Sequence, residues 1–512
     1  MKTHAFRSEV TTMAEFGTMR IYYNNFAGHL LNAYNPNMLH PELMYRWSDE
    51  EWFRTIDMVK RCSYTHVEFW LVPRLFCREG LTSDFGRTFI DQMARVTTYA
   101  KTQGLPVIAL IGLATVGADW RTLCPNRAEE WDEILFLWNA WMEALPDLGG
   151  VEIFPGDPGA CSRNGCTAET YIDRAVEIAD LVKGHLPDAD ILFNTWGPPF
   201  FGWGNLKGPE GWQGEFIQAW QHTAWTLDAE RIERSMTHLV KRLPDFPAGT
   251  SVGINLAFNP DANPYPDATG AVNPADARGW AQQIAATHPI YTWDFSLTEG
   301  ENAVIPHYRL ARLFERRREE RAAAPYSGGI CYTMSPRLNP LSLAAASRSF
   351  TAPDQDPDAV AGDFCESIFG PTGRALVPHL HRFEVFRDWG CYVRITESRE
   401  AYHREMGRLV ALLEGLAGQE RSGVIYPEAA DYRKELLFFA VLFRDLSAPA
   451  PDYASLRQRY WNRVYRIYDD LPEHVDPRPH GATDKLIRHF RDWGTIDTTP
   501  AAGQWVEGTH AG

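Results

Sequence analysis

The sequence contains no long hydrophobic run. No segment of the 512 residues reaches the roughly 18 to 20 consecutive apolar residues that span a membrane. The amino-terminal stretch MKTHAFRSEVTTMAEFGTMRIYY also has no apolar run of signal-peptide length. We therefore expect a cytoplasmic protein that does not partner with a membrane.

Cysteine is scarce, and none of it is arranged as CxxC. The eight cysteines stand at positions 62, 77, 124, 161, 166, 331, 365 and 391. This usage argues against a disulfide scaffold and against a structural zinc site, and no metal or cofactor is predicted. Cys161 and Cys166 form one close pair, for which a disulfide, a metal site and two free thiols in a loop all stay open.

Basic residues are outnumbered by acidic ones. Fifty Lys and Arg against 66 Asp and Glu give a formal charge of -16, which argues against nucleic acid as a partner because such binding needs a basic surface. Hydrophobic residues make up 45% of the chain and charged residues 23%, a composition that excludes intrinsic disorder. The length fits two or three domains, or one barrel with an addition.

Short β-branched and aromatic runs recur along the first two thirds of the chain. There are eight, spaced by 38 to 60 residues, and they start near residues 19, 66, 106, 150, 190, 250, 290 and 328. Each spacing accommodates a strand, a helix and a return, and the nearly continuous apolar strands are typical of a parallel sheet covered on both faces. No GxGxxG follows the first strand. The pattern predicts an α/β fold, a (β/α)8 barrel (TIM barrel).

Helix signals support this assignment. Ser48 with Glu51 is a capping box, and Asn339 followed by Pro340 marks a helix start after the last strand. From Asp354 onward the pattern changes to helices alone. The sequence thus predicts a barrel followed by an all-α domain, with the divisions 1–18 (amino-terminal segment), 19–350 (catalytic barrel), 351–497 (helical domain) and 498–512 (flexible tail).

Two predicted helices define the carboxyl-terminal domain. One starts at Asp356 and Pro357, stops at Gly370, and buries Val360, Phe364 and Ile368. The other, from Tyr432 to Leu446, is apolar almost all round, so most of its sides must be buried. Its partner is either the barrel or a second subunit, which leaves a homo-oligomer open.

Polar and aromatic residues follow the predicted strands, where a barrel of this kind carries its active site. Flat aromatic rings pack on the C–H faces of sugars, and amide, carboxylate and guanidinium groups bind hydroxyls. We therefore expect a carbohydrate substrate. The predicted binding residues are Asn24, Asn25, Arg74, Asn194, Trp196, Trp203, Asn255, Asp261 and Tyr332.

Glycoside cleavage needs two carboxyl groups across one bond, one protonated and one ionised. Asp157 after the fourth strand, opposite Asp294 or Glu299 at the seventh, meets this requirement. Each has a structural alternative, because Asp157 lies in a Gly-Pro loop, Asp294 suits a backbone anchor and Glu299 suits a solvated loop.

Other ionisable residues fall inside or near strands. Glu68 and Glu152 suit a polar layer at the barrel centre as well as they suit chemistry. His29 and His66 are interpreted as hydrogen-bonded structural histidines rather than metal ligands.

The end of the predicted barrel and the following helix resemble a known enzyme group. The shared features are Trp293-Asp294, Pro306 with Tyr308, and an acidic and aromatic pattern in the next helix formed by Asp356, Asp358, Phe364, Phe369 and Gly370. Over about 90 residues this region is similar to bacterial α-glucuronidases and related barrels, a superfamily that includes hexosaminidase-like and O-GlcNAcase-like enzymes.

The resemblance implies a glycoside hydrolase, with an acid from the fourth strand and a base or orienting carboxylate from the sixth and seventh. Asp157, Asp261, Asp294 and Glu299 occupy such places. Two features depart from the pattern. The acidic pair that the hexosaminidase branch carries after strand four is replaced by a lone Asp157, and the first strand begins near residue 19 without a preceding β-rich domain.

The sequence therefore predicts a glycosidase that removes a terminal sugar from a short oligosaccharide or glycoside by paired-carboxylate catalysis. One alternative is a metal-dependent sugar isomerase, epimerase or lyase on the same barrel. Another is a carbohydrate-binding barrel without catalysis, which the lack of a carboxylate after strand eight keeps open.

Overall fold

The structure is a computed structural model. It describes residues 19–25, 44–117, 121–154, 161, 163–195, 229–254, 274–294, 305–333, 336–385, 395–466 and 481–493. Among the described residues, no helix combines the length and the apolar character that crossing a membrane requires.

Eight of the ten described strands close into a parallel barrel. In chain order the ten are β1 (Arg20–Asn25), β2 (His66–Leu71), β3 (Val107–Gly112), β4 (Thr115–Val116), β5 (Arg121–Thr122), β6 (Gly150–Phe154), β7 (Asp190–Asn194), β8 (Ser251–Ile254), β9 (Ile290–Asp294) and β10 (Gly328–Thr333). Successive barrel strands pair side by side, and β10 closes onto β1. The predicted (β/α)8 barrel is confirmed.

All eight predicted strands are present, and each begins within one residue of its predicted start. Every residue of β2, β3 and β6 is buried, as expected for parallel strands covered on both faces. The antiparallel hairpin of β4 and β5 was not predicted, because strands of two residues carry no readable periodicity.

Helices cover the outside of the barrel. They are α1 (Asp49–Arg61), α2 (Arg78–Thr82), α3 (Asp84–Thr102), α4 (Ala128–Ala144), α5 (Ala168–His185), α6 (Ala229–Arg242), α7 (Pro274–Ala285), α8 (Leu310–Ala323) and α9 (Pro340–Thr351). The Ser48 capping box is confirmed: the Ser48 hydroxyl accepts from the Glu51 amide at 3.3 Å, and Glu51 Oε2 accepts from the Ser48 amide at 2.8 Å. Helix α9 begins at Pro340 as predicted.

After α9 the described residues are helical or irregular. The helices are α10 (Pro357–Phe369), α11 (Val377–Leu380), α12 (Arg399–Gly415), α13 (Ala429–Leu446), α14 (Tyr453–Arg466) and α15 (Gly481–Arg491). Helix α10 buries Val360, Phe364 and Ile368 and is followed by Gly370, as predicted. Helix α13 begins three residues before the predicted start at Tyr432 and ends at Leu446.

The helical region packs on the barrel rather than standing apart. Buried apolar residues of both parts belong to one continuous core. Tyr426 OH donates to Glu51 Oε1 at 3.2 Å, and Arg61 Nε donates to the Val424 carbonyl at 3.1 Å. The residue numbers at which the sequence divides the domains stay a prediction.

Candidate active site

The carboxyl ends of the barrel strands carry several predicted binding residues. Asn24 and Asn25 end β1, Asn194 ends β7, Asp294 ends β9, and Tyr332 is the last residue but one of β10. In the sheet register Asn24 pairs with Tyr332. Because all eight strands are parallel, these ends meet at one rim of the barrel.

Arg74 lies in the turn that follows β2 at the same rim, and its side chain is exposed. Its carbonyl accepts a hydrogen bond from Cys77 Sγ at 3.2 Å. The neighbouring Pro73 carbonyl accepts from the Gly117 amide at 2.7 Å, which ties this turn to the segment after β3. Arg74 is therefore on an anchored turn with its guanidinium directed away from the core.

The remaining predicted site residues lie outside the described part of the chain. This holds for Asp157, Trp196, Trp203, Asn255, Asp261 and Glu299, and also for His29. Asp294, Asn24, Asn25 and Tyr332 are placed by their backbone positions in the strands. The pairing of Asp157 with Asp294 or Glu299 stays a prediction.

A layer of polar side chains lies inside the barrel beneath the rim. Glu68, Glu152, Asn194 and Tyr291 are each at most 2% exposed. The Asn194 amide donates to Glu152 Oε1, and Tyr291 OH donates to the same oxygen at 3.4 Å. The four residues come from β2, β6, β7 and β9, so the layer links strands on different sides of the barrel.

Burial raises the pKa of Glu152, while hydrogen bonds from Glu68, Asn194 and Tyr291 act in the opposite direction. Burial and the two glutamates also raise the pKa of Tyr291 well above its ordinary value, which keeps its hydroxyl a donor. Two buried carboxyl groups in hydrogen-bonding range share a proton more readily than they carry two charges. The structure shows Glu68 and Glu152 in a buried polar layer, which is one of the two interpretations that the sequence left open.

His66 belongs to a separate group at the amino-terminal ends of the strands. Its Nδ1 lies 2.7 Å from Thr65 Oγ1, and its Nε2 lies 3.2 Å from Asp190 Oδ2. Arg20 donates to the other oxygen of Asp190 at 2.7 Å. Burial acts to raise the pKa of Asp190, but hydrogen bonds from His66 and Arg20 outweigh it and lower that pKa. The interpretation of His66 as a hydrogen-bonded structural histidine is confirmed.

A cavity of about 360 Å³ lies at this amino-terminal end as well. It is lined by residues that precede β1 and β10, Met19 and Tyr326, and by Arg317 and Glu320 of α8. The cavity is thus at the end of the barrel opposite to the predicted catalytic rim.

Three buried cysteines meet beside the rim, between the segments that follow β3 and β6. Cys124, Cys161 and Cys166 have their sulfur atoms within 4.8 Å of one another. Hydrogen bonding to Cys161 and burial together raise the pKa of Cys166. Cys124 thus joins the pair Cys161 and Cys166, and nothing in the sequence indicates this contact because Cys124 is 42 residues from Cys166.

Comparisons with known proteins find similarity to solved structures at the level of the fold. No protein-family model and no curated protein sequence matches the chain. Among solved structures, a GH89 protein from Clostridium perfringens in complex with its substrate GlcNAc-alpha-1,4-galactose has a TM-score of 0.51 and 10% identity, over 96% of this chain and 61% of that one.

Two further solved structures have lower TM-scores. A GH138 enzyme targeting pectin rhamnogalacturonan II gives 0.49 at 11% identity, over 96% of this chain and 66% of that one. The O-GlcNAc hydrolase of Thermobaculum terrenum gives 0.44 at 11% identity, over 87% and 91%. The chain spans less than two thirds of the Clostridium protein and 66% of the GH138 enzyme. At 10% identity, the similarity to the Clostridium protein is one of fold alone.

Proposed function

We propose that this protein is a glycoside hydrolase that removes a terminal sugar from a short oligosaccharide or glycoside. Asp157 acts as the general acid, and Asp294 or Glu299 is its carboxylate partner. The observation that carries the proposal is the closed parallel barrel, in which Asn24, Asp294 and Tyr332 stand at the carboxyl ends of their strands.

The chemistry of the residues at that rim supports a sugar ligand. Amides, a carboxylate, a phenol and the exposed guanidinium of Arg74 are suited to bind the hydroxyl groups of a saccharide. The barrel neighbours named above are glycoside hydrolases, and the one from Clostridium perfringens is described with a disaccharide substrate. Fold likeness raises the weight of the proposal but leaves the sugar to experiment.

The proposed reaction divides its work between two carboxyl groups. The protonated group donates a proton to the oxygen of the leaving group, while the ionised group either activates water or attacks the sugar directly. Asp157 follows β6 and Asp294 ends β9, the fourth and seventh barrel strands. The fourth and seventh strands are three positions apart in the eight-stranded barrel, and the proposal requires the two carboxyl groups to face each other across its mouth.

The buried polar layer supports this site from below. Glu152 on β6 and Asn194 on β7 are fully buried, so we propose a positioning role for Asn194 in place of the binding role predicted from the sequence. Their hydrogen bond fixes the two strands against each other just before the segments that carry Asp157 and Trp196. Glu152 and Asn194 are therefore positioning residues in the proposal.

The test is hydrolysis of a panel of aryl glycosides and aryl glycosiduronates, in both anomers, with and without added Mg²⁺ or Mn²⁺. The proposal predicts release of the aryl group from one sugar series without need of either ion. Sugar isomerisation, epimerisation or elimination that requires the ion would favour the metal-dependent alternative. Saturable sugar binding with no turnover would favour the binding barrel.

A further inference from the structure

The cluster of Cys124, Cys161 and Cys166 has the geometry of a metal site. The Cys124 and Cys166 sulfurs are 3.6 Å apart. A disulfide needs about 2.0 Å, whereas two sulfurs bound to one tetrahedral zinc at about 2.3 Å are about 3.8 Å apart. The observed separation is too long for a disulfide bond, and it is compatible both with a thiol–thiol contact and with two sulfurs bound to one zinc ion.

The backbone around the cluster is shaped to bring the sulfurs together. Asn164 and Gly165 both have positive φ, 50° and 71°, in the left-handed region that glycine adopts freely and asparagine tolerates. This reversal returns the chain so that Cys166 lies beside Cys161. The Cys161 amide donates to Tyr171 OH at 2.8 Å, which fixes that end of the turn.

One side-chain amide donates to a sulfur of the cluster. Asn164 Nδ2 donates to Cys124 Sγ at 3.3 Å, the kind of hydrogen bond that supports a metal-bound sulfur. Arg174 donates to the carbonyl of Pro125, the residue next to Cys124, at 3.0 Å and also donates to Glu177 Oε1 at 2.6 Å, so its positive charge is paired. Asn126 Nδ2 donates to the Asn164 carbonyl at 3.0 Å, which joins the two segments a second time.

We propose that Cys124, Cys161 and Cys166 bind one zinc ion as thiolates, and that this ion fastens the segment after β3 to the segment after β6. The cysteines are at most 9% exposed, so the ion is held away from bulk water. Among the described residues no other His, Cys, Asp or Glu joins the group, so they supply three of the four ligands of a tetrahedral ion. On binding, three thiols release three protons and form three Zn–S bonds.

The zinc proposal uses none of the residues of the proposed catalytic pair. Cys161 stands four residues after Asp157 in the sequence, so the zinc anchors one end of the segment that carries the proposed acid. The proposal departs from the sequence-based expectation, which argues against a structural zinc site. It holds whether or not the protein hydrolyses glycosides.

The test begins with wild-type protein produced in medium with zinc and purified under reducing conditions. Elemental mass spectrometry is expected to find one zinc per chain, and replacement by Co²⁺ is expected to give thiolate-to-cobalt charge-transfer absorption. A mercurial reagent should release the zinc in step with modification of three thiols. Because these measurements use the wild-type chain, they do not depend on whether a variant folds.

Variants assign the ion to the cluster. Cys124→Ala, Cys161→Ala and Cys166→Ala are each expected to reduce bound zinc at least tenfold, while Cys365→Ala, which removes a buried thiol from α10, retains it. Wild type without bound metal, or zinc that persists in all three cluster variants, would overturn the proposal. So would a disulfide between two of the three cluster cysteines, mapped by peptide mass spectrometry in protein purified without reductant.

Discussion

The Asn194 side-chain amide donates a hydrogen bond to Glu152 Oε1 in the interior of the barrel, where neither side chain is accessible to solvent. The bond joins the fourth and fifth barrel strands at the level just below their carboxyl ends. A buried carboxyl group costs free energy unless it is hydrogen-bonded or protonated. The Asn194 amide supplies a hydrogen bond to Glu152 and at the same time links the two strands.

Glu152 gives the barrel a measurable pH dependence. Its pKa in the folded state is raised by burial, so the folded protein holds a proton that the unfolded chain, with a pKa of about 4.3, releases. The free energy of unfolding is therefore expected to fall as pH rises above about 4.3 and through the folded pKa. Glu152→Gln, which keeps an acceptor for Asn194, should flatten that part of the profile in thermal unfolding between pH 4 and pH 8.

Glu68→Gln is the informative companion to this variant. Because the Glu68 and Glu152 carboxyl groups interact, either substitution should raise the free energy of unfolding by removing the repulsion between two neighbouring acids. The double variant should raise it by less than the sum of the two single effects. A pH profile of Glu152→Gln that runs parallel to that of the wild type would show that Glu152 keeps an ordinary pKa.

Asp190 is expected to contribute stability of the opposite pH sign. Its folded pKa is lowered, so its contribution is present above the unfolded pKa of about 3.9 and is lost as pH falls through the folded value. Asp190→Asn removes charge-assisted hydrogen bonds to Arg20 and His66 and should cost about 2 kcal/mol at neutral pH. Chemical denaturation measures this cost.

Asp188→Asn supplies the control for that measurement. Asp188 is exposed and stands two residues before Asp190, and its substitution should change the free energy of unfolding by less than about 0.5 kcal/mol. Equal effects of the two substitutions would mean that the His66 and Arg20 contacts add nothing to stability.

Gly253 on β8 is required by the close approach of Tyr291. A Cβ at this position would lie 2.5 Å from the Tyr291 ring, so Gly253→Ala must displace the ring and with it the hydrogen bond to Glu152. We expect the free energy of unfolding to fall by about 1–3 kcal/mol.

Gly184→Ala in α5 is the control, because nothing lies within 4 Å of the new Cβ. It should not lower the free energy of unfolding and should raise it by up to about 1 kcal/mol. Thermal unfolding of the two variants compares them, and a Gly253→Ala protein as stable as the wild type would contradict the packing argument.

The sequence was most informative about the barrel strands. Runs such as Val107–Gly112 are apolar on both faces, and their regular spacing leaves few folds that bury them all. The capping box at Ser48 and the helix ending at Gly370 were also readable, because both signals are local in the chain.

The interior layer and the cysteine cluster could not be read in the same way. Glu152 and Tyr291 are 139 residues apart, and their contact depends on the stagger of the strands around the barrel. Cys124 lies 42 residues from Cys166, and only the return of the chain between β3 and β6 brings the two together. For the site, the sequence predicts which strand ends carry polar groups, while distances between carboxyl groups depend on loops that no periodicity describes.

The most direct test of the central claim compares the rates at which wild type, Asp157→Asn, Asp294→Asn and Glu299→Gln hydrolyse the aryl glycoside that the panel selects, with Asp188→Asn as the carboxylate control. The account predicts turnover by the wild type and by Asp188→Asn. It also predicts a loss of about 10²–10⁴ in kcat for Asp157→Asn and a comparable loss for one of its two partners. Wild-type protein that hydrolyses no member of the panel, or an Asp157→Asn protein as active as the wild type, would contradict it.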